Sequence, residues 1–401
     1  MLAAALLLLP LSALAALPAG ISGAWFNPDQ SGHGLGVEML GGGRALLFWN
    51  VFDPEGRPLN LYIEGSVEGR SIQGTAYATQ GMRFGEFSSS RFQMRRWGDI
   101  RIEFASCREA RLHYDANGEA GGSAYGRGSM PLTRLISIAN LGCVFPGEAS
   151  LPVGLYQGVH QLARAPRSRP MRLAVAPDQS VWGVELLQAG SPLLPDGTYF
   201  GNFGPLPVIV LRGDRQRADA HSVTLALQVF DNNWQRWPRY ESKAQQDMTL
   251  AVAPGGQVAG SATFDAGSGV GTLFVEQMPG SAGLTYQLAL PDLAGTYRLH
   301  LSGQFYELLN ADQAMTVEAD GRFCIKGWQA AGSCHYVGEL SIPFPGYAFV
   351  DFELARQGAA GGQDQTRRYH GRGWLERTAT GAELVLVGSD GGSGVGLIGT
   401  R

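Results

Sequence analysis

The sequence predicts an all-β protein of three consecutive antiparallel domains, each a small barrel or a sandwich. The 57 glycines and 21 prolines of the 401-residue chain lie between short apolar runs, as turns do between strands. Hydrophobic residues make up 44% of the chain, too many for a disordered protein. No long stretch has helical periodicity. The chain also exceeds the size at which one hydrophobic core usually stops growing, so several domains are expected.

A short motif, Gly-x-aromatic, opens three β-rich segments of the chain. It occurs at Gly23, Gly154 and Gly295, with spacings of about 130 to 140 residues, and we interpret it as a weak internal repeat. Pro and Gly interrupt the apolar pattern between the segments, as is typical of domain joints. We therefore predict β domains at residues 20–146, 150–290 and 292–401.

The first domain is predicted to begin as an antiparallel meander. A run of three glycines at 41–43 joins its first long strands, and Asp53-Pro54-Glu55-Gly56 has the residues that a type I turn prefers. Later segments alternate apolar and polar residues, the period of a strand with one solvated face. The predicted strands cover residues 34–40, 44–52, 59–65, 100–104 and 110–114.

The last domain repeats this style. Asp320-Gly321 separates two strand-like runs, which is a strong hairpin signal. Short strands without crossover helices favour an antiparallel barrel, here of the small calycin-like kind, or a sandwich. Closure into a barrel would remove exposed strand edges. Further strands are predicted at residues 347–354, 369–375, 383–387 and 395–399.

Residues 1–16 are interpreted as a cleaved signal peptide. An apolar run leads into Ala13-Leu14-Ala15, a small-x-small pattern suited to cleavage near Ala15 or Ala16. The alternative is a membrane anchor, but the run is shorter than a span and Pro10 interrupts it. We expect export to the periplasm or the exterior. No cysteine lies near the cleavage point, so a lipid anchor is not expected, and no later segment is expected to cross a membrane as a helix.

Export favours disulfides between the four cysteines. Pairing within the predicted domains, Cys107 with Cys143 and Cys324 with Cys334, is the simplest of three connectivities. The alternative is a zinc site, but no pair has the usual Cys-x2-Cys spacing. No metal site and no cofactor is predicted, because the seven histidines are scattered and form no local ligand motif. A net charge of −4 argues against a nucleic-acid partner.

Residues 25–34 read Trp-Phe-Asn-Pro-Asp-Gln-Ser-Gly-His-Gly, and 49–58 continue with an aromatic strand and an Asp-Pro-Glu-Gly-Arg-Pro turn. Together with 104–107, Phe-Ala-Ser-Cys, this stretch resembles a largely uncharacterised module of exported proteobacterial proteins, with the pattern W-[YF]-x-P-x-x-S-G-x-G. From residue 154 onward the chain is similar to a second family of envelope proteins with a G-C-x-[FY]-x-G signature. Residues 333–338 read Ser-Cys-His-Tyr-Val-Gly, with Ser in the place of the first Gly, and the closing residues 396–401 also match. The two resemblances imply an exported β-rich protein and bring no known activity.

A few side chains are candidates for binding. Trp234, Arg236 and Trp237 concentrate interface-type residues in one polar segment. Trp25, His33 and Trp49 belong to the first module, although large aromatics also commonly fill a barrel core. Catalytic residues are not identified, since no G-x-S-x-G elbow is followed by a helix.

The sequence therefore favours a non-enzymatic envelope or extracellular protein that binds a ligand, a glycan or another protein through its loops. Cell-envelope glycan or protein is the partner class this implies. Two alternatives stay open. One is a secreted hydrolase that acts on polysaccharide or peptide at a domain junction. The other is a structural or adhesion component of the envelope.

Overall fold

The computed structural model consists of three closed antiparallel barrels of eight strands each, which confirms the all-β fold class and selects the barrel over the sandwich. The chain divides into two compact units, Met1–Glu148 with the first barrel and Ala149–Arg401 with the other two. The predicted signal peptide lies outside the described residues. The structure describes residues 17–138, 141–162, 168–187, 206–231, 242–253, 257–266, 269–278, 284–301, 314–326, 334–356, 368–379 and 381–401.

The first barrel is a meander in which each strand pairs with the next, and the last strand pairs with the first. A short 3-10 helix, Ala19–Ile21, precedes it. Its strands are β1 (Gly23–Phe26), β2 (Gly34–Leu40), β3 (Arg44–Phe52), β4 (Pro58–Glu68), β5 (Ser71–Gln80), β6 (Gln93–Phe104), β7 (Glu109–Asp115) and β8 (Arg127–Ser137).

The second barrel has the same up-and-down order and closes through pairing of its first and last strands. Its strands are β9 (Gly154–Leu162), β10 (Ser168–Val175), β11 (Val181–Leu187), β12 (Leu206–Ala218), β13 (Ser222–Asp231), β14 (Ser242–Val252), β15 (Val258–Ala266) and β16 (Gly269–Gln277).

The third barrel follows a single helical turn, α1 (Leu290–Leu293), and closes in the same way. Its strands are β17 (Gly295–Leu301), β18 (Ala314–Val317), β19 (Arg322–Lys326), β20 (Cys334–Ser341), β21 (Phe349–Arg356), β22 (Arg368–Thr378), β23 (Gly381–Ser389) and β24 (Gly394–Thr400).

Alternation along the strands fills each barrel. In β3, for example, Ala45, Leu47 and Trp49 are buried, whereas the alternate residues Phe48 and Asn50 are exposed. Successive side chains of a strand point to opposite faces, so one face of every strand contributes to the core. The interiors therefore hold packed aliphatic and aromatic side chains.

The repeated Gly-x-aromatic motif has the same structure in all three barrels. Gly23, with a φ of 141°, precedes Trp25, whose ring is buried and whose indole N–H donates to the Ile21 carbonyl at 3.1 Å. The positive φ favours glycine. In the later barrels Tyr156 and Tyr297 take the place of the Trp. Each buried hydroxyl donates to the carbonyl four residues earlier, at 2.8 and 2.9 Å. The motif anchors the first strand of each barrel to the segment before it.

An arginine completes this arrangement in the first and third barrels. Arg134 lies 5.9 Å from the ring centroid of Trp25 and donates to the Ser22 carbonyl at 2.8 Å. Arg401 lies 5.1 Å from the ring centroid of Tyr297 and also donates to carbonyls just before that strand. Because strand closure brings these arginines back to the start of the barrel, the first and last segments are held together.

Candidate functional site

The structure places the predicted binding tryptophans of the first module inside the barrel. Trp25 is fully buried and Trp49 is 3% exposed. Trp49 packs edge-on against Trp97, with ring centroids 5.6 Å apart. Both predicted residues thus occupy core positions. Filling the barrel core was the alternative to binding that the sequence analysis gave for large aromatic residues.

His33 lies on the connection between β1 and β2, half-buried, with its ring 5.4 Å from that of Phe52. Its Nδ1 atom is buried and has no hydrogen-bond partner within the described ranges. The other predicted binding residues, Trp234, Arg236 and Trp237, lie outside the described residues. The structure therefore does not bring the six predicted residues together, and their role in binding stays a prediction.

The most exposed apolar side chains of the described chain lie on a segment that the sequence analysis did not select. We call residues 81–92, between β5 and β6, the aromatic hairpin. Phe84 is 104% exposed and Phe87 is 76% exposed. Phe92 and Met82 are also exposed, at 48% and 42%. Isolated exposed apolar residues are common, but a cluster of this kind is typical of an interaction site.

Local hydrogen bonds hold the aromatic hairpin in shape. Gly81 has a φ of 93°, and a Cβ there would lie 1.8 Å from the Arg91 carbonyl oxygen. The Glu86 N–H donates to the Arg83 carbonyl at 3.1 Å, which closes a turn around Phe84 and Gly85. Gly85 has a φ of 79°, as the third position of a type II turn requires. Phe84 is thus displayed at the second position of this turn.

A second turn completes the hairpin on its return side. The Arg91 N–H donates to the Ser88 carbonyl at 3.0 Å. At the base, where β5 and β6 are in register, the Gln80 side-chain amide donates to the Gln93 side-chain oxygen at 2.9 Å. These bonds fix the backbone without covering Phe84 or Phe87. The exposure of the rings therefore follows from the local structure of the segment.

Basic residues flank the apolar ones. Residues 81–96 contain four arginines and one acidic residue, Glu86. Arg95 and Arg96 lie near Glu119 and Asp99, at 3.6 and 2.5 Å. Arg91 lies 3.4 Å from Glu86, and both side chains are more than half exposed. Ion pairs between exposed side chains contribute little to stability. The guanidinium groups of these three arginines can therefore leave their carboxylates for another anion at little cost.

The β3–β4 turn lies at the same end of the barrel as the hairpin. Desolvation alone would raise the pKa of Asp53, but hydrogen bonds from Arg57 outweigh it and hold that pKa below its ordinary value. The Arg57 N–H donates to Asp53 at 2.8 Å, and its Nε atom donates at 2.7 Å. An ionised Asp53 therefore closes this turn, as the sequence predicts.

Beneath this end of the barrel, aromatic side chains form a packed layer. Trp97 lies 5.5 Å from Tyr125 and 6.1 Å from Tyr114, measured between ring centroids. Burial, followed by the charges of Asp53 and Glu55, raises the pKa of Tyr125. This layer packs beneath the connections at this end of the barrel.

The second unit contains a buried polar cluster inside the second barrel. Nδ1 of His160 lies 2.7 Å from Oε2 of Glu185, and both side chains are fully buried. Nη1 of Arg169 donates to Oε1 of the same Glu185 at 2.9 Å. Buried charges require such partners. The three residues form a paired cluster next to a mostly aliphatic core.

A surface groove of about 760 Å³ runs over β9, β10 and β16 in the same unit. Phe274 and Val159 in its lining are 51% and 41% exposed. Arg172 at its edge forms ion pairs with Glu376 and Glu383 of the third barrel. The groove has the volume of a small-molecule site. Its apolar side chains are less exposed than Phe84 and Phe87.

Both expected disulfides are present. The Cα atoms of Cys107 and Cys143 are 6.0 Å apart, and those of Cys324 and Cys334 are 5.3 Å apart. The predicted pairing within domains is confirmed, and disulfides fit an exported protein. Within the described ranges, no group of three or more His, Cys, Asp or Glu side chains is arranged to hold a metal ion. Over the same part of the chain, no helix is long and apolar enough to cross a membrane.

Comparison with known proteins shows no family. No family model matches the chain, and no curated protein matches it, so the two resemblances drawn from motifs stay predictions. Among solved structures, the chain is similar to a mutant of transferrin-binding protein B from Haemophilus parasuis, at 10% identity and a TM-score of 0.21. A second structure, an intact transferrin-binding protein B with N and C lobes, matches at 10% identity and a TM-score of 0.20.

These matches cover 92% of this chain and 65% and 66% of the two proteins, so the chain spans about two thirds of their length. A likeness at this identity and these TM-scores indicates nothing about function.

Proposed function

We propose that this chain is an exported, non-enzymatic binding protein of the cell envelope or exterior, and that it attaches to a macromolecular partner through the aromatic hairpin. The observation that carries the proposal is the exposure of Phe84 and Phe87 on a hairpin held by its own hydrogen bonds. The other two predicted functions, a hydrolase and a structural component of the envelope, stay predictions.

Energetics support a binding role for the hairpin. Full burial of a Phe side chain stabilises a complex by about 1.5 to 3 kcal/mol before the costs of association. Phe84 makes none of this contribution within the first unit and Phe87 makes only a small part of it, because both rings are largely exposed. Their backbone is already ordered, so little conformational entropy remains to be lost when a partner covers them. A preorganised apolar hairpin is therefore a favourable docking element.

Two observations support export, namely the N-terminal segment and the disulfides. The apolar run of residues 1–16 with its small-x-small pattern has the features of a signal peptide. The two disulfides are of the kind that persists in oxidising compartments. Barrel closure also leaves few strand edges exposed for unspecific association. Such a frame suits a protein that works outside the cytoplasm and presents one specific contact.

Photo-crosslinking in the native host tests the proposal. A photoreactive phenylalanine analogue replaces Phe84, and cells are irradiated before the envelope fraction is analysed. We expect an adduct with an envelope macromolecule. The control carries the same analogue in place of Arg44, an exposed residue at the opposite end of the first barrel, and it should give no such adduct.

The outcomes separate clearly. An adduct formed from position 84 and lost when Phe87→Ser is added supports the proposal, because both rings would then contribute to one contact. Equal adducts from positions 84 and 44 would indicate unspecific collision. That result, or the absence of any adduct at position 84 in correctly folded protein, overturns the proposal.

A further inference from the structure

The aromatic hairpin also carries information about the chemistry of its partner. We infer that it docks on the surface of a phospholipid bilayer, where Phe84 and Phe87 enter the boundary between headgroups and acyl chains and the neighbouring arginines contact the phosphates. This inference rests on the proposed function and names the partner for the same site.

The shape of the hairpin is the first argument. Phe84 is 104% exposed at the tip of a turn, so it projects from the barrel. To cover such a ring, a folded protein partner needs a matching pocket. A bilayer interface is deformable and closes around a projecting aromatic ring without a preformed cavity.

The chemistry of the exposed atoms is the second argument. The exposed large apolar side chains of residues 81–96 are three phenylalanines and two methionines, and none of them carries a strong hydrogen-bonding group that would specify a protein surface. They are Met82, Phe84, Phe87, Phe92 and Met94. The hydrocarbon boundary of a membrane accepts such side chains without requiring specific partners.

Charge supplies the third argument. Residues 81–96 contain four arginines and one glutamate. Within the part of the chain that the structure describes, Arg83 is exposed and makes no ion pair, and Arg91 makes only the long, exposed contact with Glu86. Guanidinium groups bind phosphate through paired hydrogen bonds. Arginines placed beside projecting apolar rings match the layering of a bilayer, whose phosphates lie outside its acyl chains.

Vesicle flotation with the purified protein tests this inference. The probes are vesicles that contain phosphatidylglycerol and vesicles of phosphatidylcholine alone. All variants keep the same N-terminus as the wild type, so any contribution from residues 1–16 is common to them. We expect the wild type to float with both vesicles, more strongly with the anionic ones.

Substitutions identify the contact. Phe84→Ser with Phe87→Ser should weaken binding to both vesicles by at least about tenfold, because the inserted apolar area is lost. Arg83→Gln with Arg91→Gln should weaken binding mainly to the anionic vesicles, and added salt should reduce the difference. The matched control is Leu135→Ser with Ile136→Ser. These residues are 60% and 58% exposed near the opposite end of the barrel, and their replacement should leave flotation unchanged.

Circular dichroism checks that each variant is folded. If the Phe84/Phe87 variant is folded and floats like the wild type, or if the control pair loses binding equally, the inference is overturned. A wild type that ignores both vesicles but crosslinks to an envelope protein through position 84 also overturns it, and leaves the proposed function intact. Absence of both flotation and crosslinking overturns both.

Discussion

Nη1 of Arg372 in the third barrel lies 2.6 Å from Oδ2 of Asp178 in the second. Its Nε atom lies 2.7 Å from Asp351 in the neighbouring strand, and Arg372 is 7% exposed. Ser180 accepts a further hydrogen bond from the guanidinium at 3.0 Å. One buried arginine thus pairs with carboxylates of two barrels and links them within their shared unit.

Replacing Arg372 with Ala should destabilise this unit by about 3 kcal/mol, because two carboxylates lose their cation in a partly buried site. The control is Arg322→Ala in the same barrel. The Arg322 side chain is 69% exposed, so its loss should cost less than about 1 kcal/mol. Urea denaturation followed by circular dichroism measures both variants. Equal small effects would show that the Arg372 pairs contribute nothing to stability.

The arginine at the start of the first barrel allows a second prediction. Arg134→Ala should destabilise the first unit by about 2 kcal/mol, because the Ser22 carbonyl loses a charged donor and the ring of Trp25 loses its cover. Arg134→Lys keeps the charge without the planar fork and should recover only part of this loss. Arg127→Ala is the matched control, since the Arg127 side chain is 80% exposed. Thermal unfolding of the three variants tests the order.

The disulfides should stabilise the protein unequally. The Cys107–Cys143 bond closes 36 residues and the Cys324–Cys334 bond closes 10. The chain-entropy relation then gives about 4 kcal/mol for the first and about 3 kcal/mol for the second. Paired Cys→Ala variants, measured by denaturant unfolding under oxidising conditions, provide the comparison. A larger loss from the shorter loop would contradict the entropic account.

His300 on β17 should make the stability of the third barrel depend on pH. Burial, and secondly the charge of Arg298, lower the pKa of His300 in the folded state. The folded protein therefore resists protonation of this ring more than the unfolded chain does, whose His pKa is about 6.5. The contribution of His300 to the free energy of unfolding is therefore complete above about pH 6.5. It declines as the pH falls through the lowered pKa of His300 in the folded state.

His300→Gln should remove this dependence. Denaturation midpoints measured from neutral to mildly acidic pH should decline less in the variant than in the wild type. His370→Gln serves as the control, because the His370 side chain is 58% exposed. If wild type and His300→Gln decline in parallel, the acid sensitivity belongs to other groups.

Local patterns in the sequence were sufficient for much of the fold. The predicted strands 34–40 and 44–52 coincide with β2 and β3, because alternation and a glycine turn are properties of neighbouring residues. The two disulfides agree with the prediction that cysteines pair with the nearer partner in the same part of the chain. The Gly-x-aromatic repeat was also visible, since its hydrogen bond spans only four residues.

The candidate site required the tertiary structure. Trp49 and Phe84 are both large aromatics in a strand-rich segment, yet one lies in a core and the other projects into solvent. The difference in burial arises because Trp49 lies on the inward face of β3, whereas Phe84 lies in the turn that contains Gly85. The sequence contains one local sign of this site. Five Phe and Met residues interrupt the otherwise polar segment 82–94.

The sequence by itself determined that this protein consists of short antiparallel strands, tight turns and two disulfides, because those features join residues that lie in the same part of the chain. The contacts between distant residues depended on barrel closure and on packing between barrels. Closure brought Arg134 to Trp25 and Arg401 to Tyr297, and packing of the second and third barrels joined Arg372 to Asp178. Such contacts link residues about one hundred or more positions apart, and their partners are set by strand register and packing, which no local pattern encodes.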